Sequence, residues 1–468
     1  MSGRLGRREA MGQGKRTHAS QFWAVLALAA CLASGHQARA GELKAGAAKA
    51  VLEATDAMVI GGGIGPGHLQ GQEGELRASA VVIEGPDGGK ACLVACDVLM
   101  IERDILDAAA RKIAEKIGVP FDAVLINATH THHAPTTCTI HGYEREEAFA
   151  QQVGEKAVEA AVAANARLAP VTFKFRRGEE SSVGRNSRLL LADGTIYWVG
   201  ALTDVVRPTG PFDPELPVLE FLRKDGKPEA VLFNHSTHTI GTISGAVRSP
   251  GFYGLAAQEL EKERGGTFLF FEGASGSTHN LELKAAEAMT RIKTAVADTL
   301  DQATERPVAR VVGKRKEITL RVRTFDEAKD DAAVVAYCTK RQPAPYHEKT
   351  IEIFREMRKR LAPQQGQERK TWVQAVVVGD VAMVGVPGEF FTHLGREIKL
   401  RSPYRDTFVF ELANDYVGYI PDARAFDRGG YQVWTGLHSF LEKGSGEKIV
   451  ETAVELLDEL HDAPSLGR

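Results

Sequence analysis

The stretch Ala123-Val124-Leu125-Ile126-Asn127-Ala128-Thr129-His130-Thr131-His132-His133-Ala134-Pro135 joins an apolar run directly to three histidines. The run 123–126 predicts a buried strand. If the strand continues, residues two apart point to one side, so His130 and His132 face one way and His133 the other. At that spacing two imidazoles can share one metal ion, or one can bind the metal while the other transfers protons beside it.

Apolar runs of strand length recur along the chain and alternate with helical patterns. The strand-like runs are 80–83, 91–98, 123–126, 171–175, 218–222, 230–233, 268–271, 376–386 and 408–412. Apolar residues at three- and four-residue spacing predict helices at 102–117, 145–163, 281–304 and 446–460. This alternation predicts an α/β fold of mixed β-sheets flanked by helices. The charged segment 326–369 is a predicted helical excursion, either a solvated surface or a lid over the site.

Composition excludes several classes of protein. The 468 residues are 43% hydrophobic and 25% charged, as in an ordinary globular protein. The formal net charge of −3 provides no basic surface for nucleic acid. Cys92 and Cys96 lie four apart on a predicted strand, about 13 Å from each other, too far for a mutual disulfide. Buried free thiols are therefore expected.

The N-terminal segment, residues 1–40, has the pattern of a signal peptide. Basic residues precede the short apolar run 22–30, and Ala38-Arg39-Ala40 fits a cleavage site. The run is too short to cross a bilayer, which needs about 20 residues, and no later segment predicts a transmembrane helix. We therefore expect an exported protein, periplasmic or secreted. The alternative is a lipoprotein anchored through Cys31, and peripheral membrane contact fits either form.

Further chemistry-bearing residues follow other predicted strands. A second histidine stretch is Asn234-His235-Ser236-Thr237-His238, and another strand ends in Val386-Pro387-Gly388-Glu389. His130, His235 and Glu389 would supply two imidazoles and a carboxylate, a donor set suited to catalytic zinc. The turn 272–280 contains two glycines whose backbone N–H groups could face an anion.

From about residue 43 onward, the chain resembles the neutral/alkaline non-lysosomal ceramidase family. The motifs that carry the resemblance are Gly46-Ala47-Ala48-Lys49, the His-Thr-His motif, the second-strand histidine, Val386-Pro387-Gly388-Glu389, Ala413-Asn414-Asp415-Tyr416-Val417-Gly418-Tyr419-Ile420-Pro421 and Gly429-Gly430-Tyr431. The last two stretches are the most specific. The resemblance implies that residues 41–468 form a neutral-ceramidase-like catalytic domain.

The resemblance also implies a zinc site and roles for its neighbours. It assigns the Zn²⁺ ligands to His130, His235, Glu389 and Tyr419. The catalytic positions that it implies are His132 for proton transfer, Tyr431 for oxyanion stabilisation, and Arg188 for substrate positioning, with Arg185 as the alternative arginine.

Two departures from the family concern the substrate. Aligning the glycines of Gly276-Ser277-Thr278-His279-Asn280 places His279 where the family has a catalytic serine. His279 is then a hydrogen-bond donor or an extra metal ligand. Family ceramidases also carry a C-terminal β-sandwich, for which the sequence after 446–460 leaves no room. Both departures concern ceramide as substrate and leave the zinc site as expected.

The expected activity is zinc-dependent hydrolysis of an amide, a C–N bond other than a peptide bond, as in an N-acylsphingosine amidohydrolase of lipid metabolism. The partner is a small-molecule N-acyl amide, lipid or not. Ester or lactone hydrolysis and a non-catalytic binding role are the alternatives. Metallo-β-lactamase-like enzymes also use His-x-His, but Ala134-Pro135 stands here where they continue with an Asp before a further His. The barrel repeat of TIM-barrel amidohydrolases is not visible.

Overall fold

A computed structural model describes residues 41–463, so the predicted signal peptide and Cys31 lie outside the described residues. The strands are β1 (Lys44–Val51), β2 (Arg77–Glu84), β3 (Lys90–Cys96), β4 (Val124–Ala128), β5 (Ala169–Glu179), β6 (Arg185–Asn186), β7 (Leu189–Leu191), β8 (Val205–Pro208), β9 (Glu215–Arg223), β10 (Pro228–His235), β11 (Thr267–Glu272), β12 (Thr278–His279), β13 (Thr304–Glu305), β14 (Val311–Arg321), β15 (Glu368–Val378), β16 (Val381–Gly385), β17 (Glu389–Phe390), β18 (Asp406–Phe410) and β19 (Tyr419–Ile420). The helices are α1 (Arg103–Ile117), α2 (Glu147–Ala166), α3 (Gly251–Arg264), α4 (Ala285–Asp301), α5 (Glu327–Arg341), α6 (Tyr346–Leu361), α7 (Thr392–Arg401), α8 (Ala423–Arg428) and α9 (Ser445–Asp462).

Two mixed sheets organise these elements. The larger has nine strands in the order β11-β10-β9-β5-β1-β2-β3-β4, with β13 paired to β5. Most of its pairs are antiparallel, whereas β3–β4 and β10–β11 are parallel. The smaller sheet has the order β14-β15-β16-β18. Helices α1 and α2 pack together beside β1 to β4, and α3 and α4 pack together beside β5, β9 and β11. The α/β fold of mixed sheets flanked by helices is confirmed.

The apolar run 376–386 is two strands rather than one. The chain turns at Gly379, which has a φ of 63°, and at Asp380, so that β15 and β16 pair antiparallel. The prediction of a single strand was wrong because it ran two buried apolar stretches, 376–378 and 381–385, together across the Gly379-Asp380 pair that separates them. A glycine followed or preceded by an aspartate is itself typical of a turn.

Strand β4 brings the histidine segment into contact with two other strand ends. The side-chain Nδ2–H of Asn127 donates to the backbone carbonyl oxygen of Glu411, which follows β18. The Asn127 Oδ1 accepts the Glu272 N–H at 3.3 Å. The Ala128 N–H donates to the Leu412 carbonyl at 3.2 Å. The carboxyl ends of β4, β11 and β18 are therefore joined at one point, next to the candidate site.

The charged segment 326–369 forms the helical hairpin α5–α6. Phe354 and Met357 of α6 are buried, as are Val334 and Tyr337 of α5. The hairpin is therefore docked on the protein through an apolar face. Most of its charged residues are outside, but Arg358 is buried and pairs with Glu327 and Asp331 of α5. Among residues 41–463, no helix is both long enough and apolar enough to cross a membrane.

Candidate functional site

The two histidines after β4 meet through a turn, not through strand alternation. β4 ends at Ala128, and His130 has a φ of 61°, a left-handed conformation that costs a non-glycine residue free energy. The expectation of a continuing strand is corrected, although His130 and His132 do come together. Their Nε2 atoms are 3.4 Å apart. His133 points elsewhere, and its Nε2 accepts the Gly241 N–H.

The third histidine of the cluster is His238. Its ring centroid lies 4.4 Å from that of His130. His130, His132 and His238 form a group whose possible ligand atoms lie within 4.8 Å of one another. Thr131 pairs with Thr239, and the Thr239 hydroxyl donates to the Thr129 carbonyl at 3.2 Å. The tripeptide Thr-His-Thr occurs at both 129–131 and 237–239, so two copies of one short motif lie side by side.

His235, predicted as a metal ligand, is not in this cluster. It is the last residue of β10 and is fully buried. Its Nε2 donates to the Glu180 carbonyl at 2.9 Å, which leaves its Nδ1 to accept from the Tyr253 hydroxyl at 2.5 Å. Both ring nitrogens are therefore occupied by the protein. His238, which lies three residues after the end of β10, is the histidine of this stretch that lies in the cluster.

The three clustered histidines share one tautomer. The Nδ1 atoms of His130, His132 and His238 lie 2.9, 3.2 and 3.0 Å from the backbone carbonyls of Leu99, Gly62 and Ser275. Because a carbonyl oxygen can only accept, each Nδ1 carries the hydrogen. The Nε2 lone pairs then point toward one another. This is the arrangement found in metal-binding histidines, whose second nitrogen is held by a backbone or carboxylate oxygen.

A carboxylate and a phenol complete the cluster. Glu389 of β17 and Tyr419 of β19 are neighbours in parallel register. The Glu389 Oε2 lies 3.2 Å from the His238 Nε2 and 3.6 Å from the His130 Nε2. The Tyr419 hydroxyl lies 3.2 Å from the His238 Nε2. The donor set of imidazoles, carboxylate and phenol therefore fits zinc.

Burial sets the protonation of these groups. It lowers the pKa of His130 to about 4, with a further contribution from His238. It also lowers the pKa of His132 well below the usual value, so both rings are neutral near pH 7. Burial alone would raise the pKa of Glu389, but the neighbouring His238 and His130 rings keep that pKa below its usual value. At neutral pH the Glu389 carboxylate is thus an anion in a cluster whose His130 and His132 rings are neutral.

The buried carboxyl of Glu411 supports two sides of the site. It accepts the Ser275 N–H at 2.9 Å, the Ser275 hydroxyl at 2.7 Å and the Phe390 N–H at 2.7 Å. Ser275 holds His238, and Phe390 follows Glu389. The N–H groups of Gly273 and Gly276 also bond within the protein. The two glycine N–H groups of the turn 272–280 are therefore taken by the protein and do not face an anion.

A pocket of about 430 Å³ opens over the cluster, lined by His132, His238, Tyr419 and Tyr431 among others. The Tyr431 hydroxyl lies 3.0 Å from the His141 Nε2. The Tyr431 ring stacks on Trp198, with centroids 4.5 Å apart and the rings 2° from parallel. His132 and Tyr431 therefore both reach the space in which a substrate would lie.

Arg188 and Arg185 occupy different environments. Arg188 is 2% exposed, and its guanidinium donates to the Gln432 Oε1 at 2.8 Å and to the Gly429 carbonyl at 2.7 Å. Arg188 thus holds the loop that carries Tyr431 instead of lining the pocket. Arg185 lies at the surface, with its guanidinium 3.7 Å from the Glu282 carboxylate at the pocket mouth.

His279 lines the same pocket, beside the cluster but outside the group of three histidines. Its ring is nearly parallel to that of His238, with centroids 6.0 Å apart. Its Nδ1 accepts the Leu281 N–H at 2.6 Å. Burial lowers the pKa of His279 to about 3, so the ring is neutral at physiological pH.

Several residues of the site were not predicted. His238, Trp198 and Tyr416 are the main ones, and the Tyr416 hydroxyl donates to the Glu389 Oε1 at 3.3 Å. The repeat of Thr-His-Thr was a usable signal for His238. Tyr416 lies inside the stretch 413–421, which had already been singled out. Trp198 carries no local signal, because its position depends on stacking against a residue far along the chain.

Comparison with known proteins supports the fold. No protein-family model and no curated protein matches the chain. Among solved structures, neutral ceramidase from Pseudomonas aeruginosa is similar, with 18% identity, a TM-score of 0.69, and coverage of 90% of this chain and 75% of that one. A ceramidase complexed with C2 is similar too, with 18% identity, a TM-score of 0.71, and coverage of 91% and 76%. The predicted likeness to neutral ceramidases is therefore confirmed at the level of the fold.

Proposed function

We propose that this protein is a zinc-dependent hydrolase that cleaves the amide bond of an N-acyl substrate. The observation that carries the proposal is the convergence of the His130, His132 and His238 rings, with the Glu389 carboxylate 3.6 Å from the His130 Nε2 and 3.2 Å from the His238 Nε2. Acceptor atoms packed this closely without a hydrogen between them repel one another. A cation among them removes that repulsion, and the tautomers are already fixed for metal binding.

The proposed ligands are His130, His238, Glu389 and Tyr419. Bound zinc would supply a Lewis acid and lower the pKa of a water molecule toward neutrality. His132 is left for proton transfer, because it lines the pocket and, among residues 41–463, the Glu389 carboxylate pairs with His130 and His238 but not with His132. His238 is the second histidine ligand because its Nε2 faces Glu389, whereas both ring nitrogens of His235 are bonded to other parts of the protein.

The reaction roles follow from what each side chain can donate or accept. The His132 Nε2 accepts a proton from the attacking water and returns it to the leaving nitrogen. When His141 donates its Nε2 hydrogen to the Tyr431 oxygen, the Tyr431 hydroxyl can still donate to the oxyanion that forms on the substrate. Arg188 positions Tyr431 through the loop 429–432, and His279 donates to the substrate from the pocket wall.

Two further parts of the proposal concern substrate and location. The structural neighbours are ceramidases, so lipid amides are the first compounds to test. Esters and lactones are alternatives because the same groups can act on any carbonyl carbon. We also propose export through the segment 1–40, with residues 41–468 as the catalytic domain.

The test combines metal analysis with turnover. Purified protein is expected to contain about one zinc per chain and to cleave N-acyl amines of some chain length. Chelation is expected to abolish cleavage, and added zinc to restore it. His132→Ala should keep the metal and lose about a hundredfold or more in kcat. A protein without stoichiometric metal, or one whose activity survives chelation, would contradict the proposal. Bound zinc without turnover of any amide, ester or lactone would favour a binding role.

A further inference from the structure

His279 has the tautomer opposite to that of the three clustered histidines. The Leu281 N–H donates to its Nδ1 at 2.6 Å, so this nitrogen carries no hydrogen. A neutral imidazole must then carry its hydrogen on Nε2. No acceptor among residues 41–463 lies within hydrogen-bond range of this Nε2, and the atom is not sealed in the interior. The ring lines the pocket, so this donor is available to a bound molecule.

The same tautomer argues against a metal-ligand role for His279. His130, His132 and His238 each hold a hydrogen on Nδ1 and present a lone pair at Nε2. His279 presents a hydrogen there instead. Ligation through its Nε2 would require loss of the Leu281 hydrogen bond, which holds a residue with a φ of 45° in place.

Arg185 lies directly opposite His279. The ribbon β6–β12 pairs His279 with Arg185 in antiparallel register, and such cross-strand partners project from the same face. The Arg185 side chain is 55% exposed, and its ion-pair partner Glu282 is 78% exposed. An exposed pair at 3.7 Å contributes little, so a stronger partner can replace Glu282. Arg185 lines an adjoining pocket that shares Leu202 and Glu282 with the pocket over the cluster, and it is thus a second donor beside His279.

We propose that His279 and Arg185 together recognise a carboxylate on the substrate, so that the pocket prefers N-acyl amino acids to neutral N-acyl amino alcohols. This inference rests on the proposed amide hydrolysis. Toward a bound molecule both side chains offer hydrogen-bond donors, since the one acceptor atom of His279, its Nδ1, is taken by Leu281, and a carboxylate is the matching group that only accepts. A hydroxyl group in its place can accept one of these bonds but also brings a hydrogen of its own that needs an acceptor.

The test compares two substrates that differ only at this group, N-octanoyl-alanine and N-octanoyl-alaninol, on the zinc-loaded protein. The wild-type protein is expected to cleave the acid with a kcat/KM about tenfold or more above that of the alcohol. His279→Leu and Arg185→Ala should each move this ratio toward one, mainly through KM for the acid. His279→Gln should preserve the preference, because its amide N–H can take the place of Nε2–H.

Controls separate recognition from folding. Arg264→Ala removes an exposed arginine paired with Asp301, away from the pocket, and should leave the ratio unchanged. Calorimetric binding of both compounds to chelator-treated protein should show the same preference without turnover. Equal cleavage of both compounds by the wild type, or an equal loss for both in His279→Leu, overturns the inference alone. Absence of zinc together with no cleavage of either compound overturns the proposed function as well.

Discussion

Three positions separate His235 from His238, and the hydrogen-bond partners of the two rings decide their roles. His235 bonds to Glu180 and Tyr253 through its two nitrogens. His238 gives one nitrogen to Ser275 and turns the other toward Glu389. A histidine with both nitrogens bonded inside the protein supports the fold. A histidine with one nitrogen turned toward other acceptors can bind a metal.

This contrast gives a matched pair of variants. We expect His238→Ala to lose stoichiometric zinc and turnover, because it removes a ligand. His235→Asn should keep the zinc and lose about 1–3 kcal/mol of unfolding free energy, since it disturbs a buried hydrogen bond. Zinc content by mass spectrometry and stability by urea unfolding measure both effects. Retention of zinc in His238→Ala together with its loss in His235→Asn would return the ligand role to His235.

At this scale the sequence located most of the residues that meet at the site. His130, His132, Glu389, Tyr419 and Tyr431 follow strand ends or lie in recognisable stretches, and the structure brings them together. The stretch 234–238 offers two histidines, His235 and His238, and residue spacing does not say which ring nitrogens find partners inside the protein. Arg188 was likewise expected at the substrate, whereas the structure places it behind Tyr431.

Among the larger elements, the hairpin α5–α6 determines one wall of the pocket. The Tyr337 hydroxyl of α5 accepts the Trp198 N–H at 2.6 Å and the Val199 N–H at 3.3 Å. Arg341 donates to the Ala201 carbonyl at 2.6 Å. The loop 198–201 therefore takes its shape from the hairpin, and Trp198 in turn stacks on Tyr431. The hairpin is neither only a solvated surface nor a separate lid.

The contact of Tyr337 with this loop can be tested by removing one atom. Tyr337→Phe deletes the acceptor of two backbone N–H groups while keeping the ring. We expect KM to rise about threefold to tenfold, with zinc content unchanged, because the pocket wall loosens while the ligands stay in place. Tyr346→Phe is the matched control, since Tyr346 is on the same hairpin and 68% exposed. An unchanged KM in Tyr337→Phe would show that the loop holds its shape without the hydroxyl.

The sequence pattern predicted the long helices and strands correctly and missed the shortest strands. The long strands β2, β3, β9 and β11 and the helices α1 and α9 correspond to predicted segments. The ribbons β6–β12 and β17–β19 were not predicted, because strands of two residues have no period to detect. These short ribbons nevertheless position His279, Glu389 and Tyr419.

Across the whole molecule, buried neutral histidines make the fold sensitive to acid. Burial lowers the pKa of His438 to about 4, and it lowers that of His141 well below its usual value. Near its ordinary pKa of 6.5, each takes up a proton in the unfolded chain before it does so in the folded protein. The contribution of these neutral histidines to the free energy of unfolding is therefore fully present above pH 6.5 and is lost as the pH falls toward 4.

The size of this effect can be measured on chelator-treated protein. For His438 alone, a pKa of about 4 in the folded protein and of 6.5 in the unfolded chain corresponds to about 3 kcal/mol of unfolding free energy. We expect the free energy of unfolding, from urea titrations, to fall by several kcal/mol between pH 7 and pH 4.5. Proton uptake on unfolding should be positive in this range. A flat profile would mean that the histidines are already accessible to protons in the folded state.

The junction at the end of β4 has a consequence for the order in which the protein is made. Asn127 bonds to Glu411 across 284 residues of sequence, and the proposed ligands extend from residue 130 to 419. While the ribosome is still making the first half, the histidine turn lacks both the strand that closes it and the carboxylate that faces it. The proposed zinc site is thus completed late in the synthesis of the chain, and a fragment that stops short of residue 411 should bind no metal tightly however well its first strands fold.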